Sequence, residues 1–228
     1  MRFVKHKLKK ILFSKFLGKI LLRFLITLHS RIYDLIGKYA YYINDGIHPK
    51  REILKYEEWF IRNIGQNQRV VDLGCNSGYM AIKMSEKANY VIGIDISEEL
   101  IEEAKKTIKK NVDFVCADIN SYDFSLLGKI DILTMSNILE HIENRVDFLK
   151  RILSSSRWRK GRKILIRVPM IDRDWLSVYK KNIGLDYRLD PTHFTEYTLV
   201  DFKKELNEAN IELVSYEIRF GEIYAICK

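Results

Sequence analysis

Arg69-Val70-Val71-Asp72-Leu73, followed by Gly74-Cys75-Asn76-Ser77-Gly78, decides the fold. A short β-branched run ends in an acid and a leucine, a turn of small residues follows, and a helical pattern begins at Tyr79 and reaches Lys87. Branched aliphatics fit a pleated, buried surface, and Gly and Asn punctuate it, so the stretch reads as strand, turn and helix. The same grammar repeats downstream. Tyr90-Val91-Ile92-Gly93-Ile94 ends in Asp95 and precedes a helix from Glu98 to about Lys110, and Asp113-Phe114-Val115-Cys116-Ala117 closes on Asp118. Lys129 to Met135 and Lys163 to Val168 read as a fourth and a fifth strand, with a helix over 144–153 between them. Strands alternating with helices imply a parallel sheet with right-handed crossovers.

Ligands of such sheets bind beyond the carboxyl ends of the strands, where the turn and the acids lie. The spacing Gly74-x-Asn76-x-Gly78 differs from the GxGxxG of dinucleotide dehydrogenases, and Asn76 can take the middle position because asparagine tolerates positive φ. Asp95 is placed to accept hydrogen bonds from a ribose diol, and Asp118 to receive an adenine amino group while Ile119 covers the ring. In this order and placement, Val70 to Gly78, Gly93 to Ser97 and Phe114 to Ile119 resemble three motifs of the class I S-adenosylmethionine-dependent methyltransferases, a resemblance that covers residues 68–228. It implies a Rossmann-like, doubly wound α/β fold with a seven-stranded sheet whose last strand is antiparallel. The hairpin pattern Ile211 to Arg219, Phe220-Gly221, Glu222 to Cys227 agrees with that. It also implies S-adenosyl-L-methionine as cofactor, held by Asp72, Gly74, Asn76, Gly78, Asp95, Ile96, Asp118, Ile119 and Ser136. Asn76 stands where the family more often has glycine.

The fourth strand runs into Ser136-Asn137-Ile138-Leu139-Glu140-His141. A Leu-Glu-His triplet recurs at this place among the resembling small-molecule O-methyltransferases, which makes His141 a candidate general base for a hydroxyl acceptor. The alternative is a histidine that packs or caps the next helix. Pro169 to Tyr197 lacks clear periodicity, and an ordered stretch of that length is usually functional, so it is expected to cover the acceptor. Within it His193 and Glu196, three apart, are expected on the first turn of a helix running to Asn210, with Thr195 as an alternative N-cap. His141, His193 and Glu196 are the candidate catalytic residues. A variant gathers Glu140, His141, His193 and Glu196 around Mn²⁺, Fe²⁺ or Zn²⁺; the adopted reading assigns no metal. Arg167, Arg173 and Lys50 are candidates for meeting phosphate or carboxylate on the acceptor.

Composition bounds the rest. The 228 residues suffice for one domain of ordinary size with an appendage, expected as residues 1–64 and 65–228. The formal charge of +9 is carried entirely by residues 1–40, which hold ten Lys/Arg against Asp34; the remainder is balanced. That distribution argues against a nucleic-acid-binding body. In residues 11–28, Lys15, Lys19 and Arg23 interrupt any membrane span and fall on one helical face, opposite Phe13, Phe16, Leu17, Ile20, Leu21, Phe24 and Leu28. Residues 1–30 therefore fit an anionic membrane surface, a lid over the domain, or RNA. Cys75, Cys116 and Cys227 form no disulfide or zinc pattern, so a cytoplasmic protein, peripheral on the inner face of the membrane, is expected. The leading function is O-methylation of a small or lipid-linked, glycan-type acceptor. The alternatives are an RNA or protein methyltransferase using the basic arm, and a non-catalytic nucleotide-cofactor-binding module. Met135-Ser136-Asn137-Ile138 stands where enzymes that methylate exocyclic base nitrogens carry Asn-Pro-Pro-Tyr.

Overall fold

The computed structural model describes residues 15–107 and 109–228. The part of the expected membrane segment that precedes Lys15 lies outside them. The chain forms two compact units, Met1–Lys55 and Tyr56–Lys228. In the first, α1 (Lys15–Ile43) is a 29-residue helix whose one buried residue is Ile26. A turn with positive φ at Asp45 and Gly46 leads to α2 (Pro49–Leu54), whose N-cap is His48. Pro49 suits the first helical position because its missing N–H would have no helical partner there.

In the second unit, α3 (Tyr56–Arg62) precedes a seven-stranded sheet. The strands are β1 (Arg69–Leu73), β2 (Tyr90–Asp95), β3 (Val112–Cys116), β4 (Lys129–Ser136), β5 (Arg157–Pro169), β6 (Leu213–Arg219) and β7 (Glu222–Cys227), in the order β3-β2-β1-β4-β5-β7-β6. All neighbouring pairs are parallel except the two made by β7, which runs against β5 and β6. This is the expected Rossmann-like arrangement. The sheet order reverses between β1 and β4, a switch point where a ligand crevice opens at the strands' carboxyl ends.

Apolar residues fill both faces. Trp59, Phe60, Ile64, Met84 and Ile101 pack on one side, which binds α3, α4 (Tyr79–Met84) and α5 (Glu98–Lys105) to the sheet. Phe148, Leu149, Ile152, Phe202 and Leu206 pack on the other, from α6 (Arg145–Ser155) and α8 (Leu199–Glu208). Residues 56–64, expected with the extension, thus belong to the sheet unit, because Trp59 and Phe60 bury their rings in its core.

Several details differ from the expectation. The helix after β2 ends at Lys105. Strand β5 begins at Arg157 rather than Lys163, because Arg157 and Trp158 continue the ladder to Lys129 and Ile130 past an irregularity in register. The segment after Pro169 contains a helix, α7 (Trp175–Asn182), started by Asp174, whose Oδ1 accepts the Ser177 N–H at 2.7 Å.

Candidate functional site

At the carboxyl ends of β1, β2 and β3 lies a cavity of about 300 Å³. Gly74, Asp95, Ile96, Asp118 and Ile119 line it, as expected, and His141 stands on its wall. Ile138 closes the turn side. A Cβ on Gly74 would come within 1.8 Å of the Ile138 Cδ1, and φ of +70° at Gly74 disfavours any side chain as well. Asn76 takes φ of +51°, as its identity suggests. Its N–H donates to Asp95 Oδ2 at 2.8 Å, while Asp95 Oδ1 accepts from the Ser97 N–H at 3.0 Å. The turn therefore orients the Asp95 carboxylate, which keeps further lone pairs for a diol.

Asp72, Asn76, Gly78 and Ser136 do not line the cavity. Gly78 supports it, since a Cβ there would lie 2.5 Å from the Phe114 ring. Asp72 is fully buried at the end of β1, where Thr134 Oγ1 donates to its Oδ1 at 2.6 Å and Oδ2 has no partner. Burial pushes its carboxyl up to about 7, with Asp95 adding to the rise and the Thr134 hydrogen bond opposing it. The chemistry of these residues fits S-adenosylmethionine, whose cationic amine would meet an acid-lined site, whose ribose hydroxyls would suit Asp95 and whose adenine would suit Asp118 and Ile119.

The chemical end is built by a turn and a loop. Leu139–His141 forms a short 3₁₀ turn after β4, and the Phe194 N–H donates to the Glu140 carbonyl at 2.8 Å, so the 190s loop is tied to it. That bond sets His193 beside His141, with ring centroids 4.6 Å apart and planes near perpendicular. Burial lowers the His141 imidazole from its ordinary value, and the neighbouring His193 lowers it further. Thr192 Oγ1 donates to Asp190 Oδ1 at 2.7 Å, and the same hydroxyl lies 2.9 Å from His141 Nδ1. A hydroxyl has one proton, so His141 Nδ1 is the donor in the second bond and Nε2 holds the lone pair.

Glu196 sits behind His193 rather than at the cavity. Its Oε1 lies 3.2 Å from His193 Nδ1 and also accepts the Leu189 N–H, and its Oε2 pairs with Arg173. The side chain holds His193 and does not line the cavity. The helix expected to carry both residues starts later, at Leu199: Thr198 is the N-cap, accepting the Asp201 N–H at 3.1 Å, because Tyr197 is held in extended pairing with Met170. Arg173 is likewise committed, donating to the carbonyls of Met170 and Tyr187 as well as to Glu196. Arg167 is buried with its guanidinium 3.9 Å from the Tyr56 ring centre and Nη1 unpartnered. Lys50 lies in the first unit. Ala117, Asn120, Ile138 and Ile142 line the cavity without having been expected to; their signal is adjacency to the acid or histidine of each strand end. Thr192 and Asp190 had the sequence signal Asp-Pro-Thr-His but no assigned role.

A family of proteins described as a methyltransferase domain matches residues 39–216. A ubiquinone biosynthesis O-methyltransferase of Aromatoleum aromaticum is 32% identical over 89 residues, 37% of this chain and 38% of that protein. A ribosomal protein L11 methyltransferase of Thermotoga neapolitana is 31% identical over 105 residues, 44% of this chain and 38% of that protein. This chain therefore spans well under two thirds of the length of either relative. Among solved structures, the DhpI-SAM-HEP complex superposes with a TM-score of 0.62 at 16% identity, covering 88% of this chain and 97% of that one. An S-adenosylmethionine-dependent methyltransferase of Clostridium acetobutylicum gives a TM-score of 0.58 at 14% identity, covering 86% and 98%. At such identities the structures speak for the fold.

Proposed function

The chain belongs to the methyltransferase-domain family of S-adenosylmethionine-dependent proteins, and from that premise we propose that it methylates a hydroxyl of a small or lipid-linked, glycan-type acceptor at an anionic membrane surface. The observation that carries the hydroxyl is the unprotonated His141 Nε2 on the wall of the cofactor cavity, its other nitrogen anchored through Thr192 to Asp190. When bound, S-adenosylmethionine supplies an electrophilic methyl group and a neutral thioether leaving group. Asp95, Asp118 and the Gly74 turn hold it, and Ile119 and Ile138 keep water from its apolar parts. His141 Nε2 takes the acceptor's proton. Holding acceptor and cofactor in line supplies most of the rate, and proton removal a further factor of about 10²–10⁴.

The membrane reading is supported by α1. Leu17, Phe24, Leu28, Leu35 and Tyr39 stand on the helix face opposite Ile26 and are all exposed, with Lys15, Lys19 and Arg23 on the other side. Among the described residues no helix is long and apolar enough to cross a membrane. Cations with an exposed Phe/Leu stripe suit a helix lying in a headgroup layer. A protein acceptor is the second reading, favoured by the similarity to the ribosomal protein L11 methyltransferase.

One assay separates the two. The protein is incubated with methyl-labelled S-adenosylmethionine and either anionic vesicles carrying polyprenyl-linked sugars, the soluble sugars and catechols, or a ribosomal protein fraction. The hydroxyl reading predicts base-stable label in the lipid or small-molecule fraction, reduced about 10²–10⁴-fold by His141→Ala with little change in S-adenosylhomocysteine affinity. Label confined to the protein fraction would overturn it.

A further inference from the structure

We propose that Glu140, His141 and His193 form a binding site for one divalent transition metal ion at the acceptor end of the cavity. An oxygen of Glu140 and one ring nitrogen of each histidine lie within 4.8 Å of one another. Ligand bonds near 2.1 Å to a tetrahedral ion require separations of about 3.4 Å, so a contraction of little over an ångström closes the site.

Two independent features mark the three side chains as ligands. Glu140 is completely buried, and neither of its carboxylate oxygens has a hydrogen-bond partner. A carboxylate in that position is strongly disfavoured without a cation or donors to meet it. Both imidazoles, in addition, are anchored through Nδ1. Thr192, whose own proton goes to Asp190, accepts from His141 Nδ1, and Glu196, which already accepts from Arg173 and the Leu189 N–H, accepts from His193 Nδ1. Each ring is thereby left with its lone pair on Nε2. A carboxylate or a hydroxyl on the far nitrogen is the outer support that fixes the tautomer and orientation of metal-bound histidines. The Glu196 of the expected four-residue set belongs to this outer support and is not a ligand.

Two imidazoles and one carboxylate suit Mn²⁺, Fe²⁺, Co²⁺ or Zn²⁺ better than Mg²⁺ or Ca²⁺, which prefer oxygen alone. Three protein ligands leave coordination positions open, and His141 places them beside the cavity. The acceptor class that follows carries its hydroxyl next to a second oxygen donor, as in a vicinal diol or a catechol, so that both oxygens reach the ion. An ion held there would occupy His141 Nε2 and would supply Lewis acidity to an acceptor hydroxyl, whose proton would then pass to solvent in place of the transfer to His141. The site itself rests on the geometry alone, whereas its use rests on the methyl-transfer reading.

The test is titration of the full chain, stripped with EDTA and desalted, with Co²⁺, followed by calorimetry and by visible absorption. One Co²⁺ per chain with intensified visible bands is expected. Glu140→Gln and His193→Ala each lower the affinity at least tenfold, and Thr192→Val, on an exposed loop, lowers it about 10–100-fold while leaving all three ligands in place. Circular dichroism and S-adenosylhomocysteine binding on the same samples report the fold. Absence of stoichiometric uptake by the wild type, or affinities unchanged in both ligand variants, would overturn the site. S-adenosylhomocysteine binding without Co²⁺ uptake leaves the methyltransferase reading standing and removes the metal; Co²⁺ uptake without S-adenosylhomocysteine binding does the reverse.

Discussion

Asp72 shows how a single buried acid beside this site makes stability depend on pH. Its carboxyl is held up at about 7 by burial, against an ordinary value of 3.8. Between those values the folded chain keeps a proton that the unfolded chain has released, so stability falls as pH rises through the window, and the whole loss persists above it. Asp72→Asn keeps an acceptor for the Thr134 hydroxyl and removes the charge. The variant is expected to gain stability relative to the wild type as pH goes from 4 to 8, by about 2–4 kcal/mol in chemical denaturation. A pH-independent difference would contradict this account of the buried acid. At this scale the sequence revealed residue types better than partnerships. Asp95, Asp118 and His141 were legible because Asp95 ends β2 and the other two stand within five residues of the ends of β3 and β4. The facing of His141 and His193 was not, since it depends on one backbone bond, Phe194 to Glu140, between segments far apart in the chain.

Among the elements, β1, β2 and β4 were legible because runs such as Val70-Val71 and Ile130-Asp131-Ile132-Leu133 announce a buried strand. The first half of β5 was hidden: Arg157-Trp158-Arg159-Lys160-Gly161 carries too many cations and a glycine to read as a strand, and only its pairing to β4 defines it. The helix α7 was hidden too, since its one fully buried residue is Ser177 and no apolar stripe repeats. The start of α8 was misplaced by one turn because Thr195 and Thr198 both qualify as caps, and only Thr198 has an acid three residues on to answer it, its hydroxyl donating to Asp201 Oδ2 at 2.7 Å. For α1 the expectation is functional. Phe16 and Phe24 are 75% and 61% exposed, so changing both to Ser should leave the fold intact. In co-sedimentation with anionic vesicles, the double variant is expected to lose at least tenfold in partitioning. Equal sedimentation of wild type and variant would remove the membrane from the proposal.

For the molecule as a whole, the charge of +9 belongs to the first 40 residues and the chemistry to the sheet unit. A neutral α/β domain with a topological switch at β1 and β4 presents its turn, its two acids and its histidines at one end of the sheet, which is why fold and cofactor follow from local patterns while the acceptor does not. The central claim is that the cavity at that end holds S-adenosylmethionine through Asp95, independently of the histidines that face the acceptor. Calorimetric titration of the wild type, Asp95→Ala and His141→Ala with S-adenosylhomocysteine, with NADH as the competing ligand, tests it most directly. One equivalent of S-adenosylhomocysteine bound by the wild type, affinity lowered at least tenfold in Asp95→Ala and little changed in His141→Ala, is the predicted result; binding of NADH alone, or of neither ligand, would contradict the account.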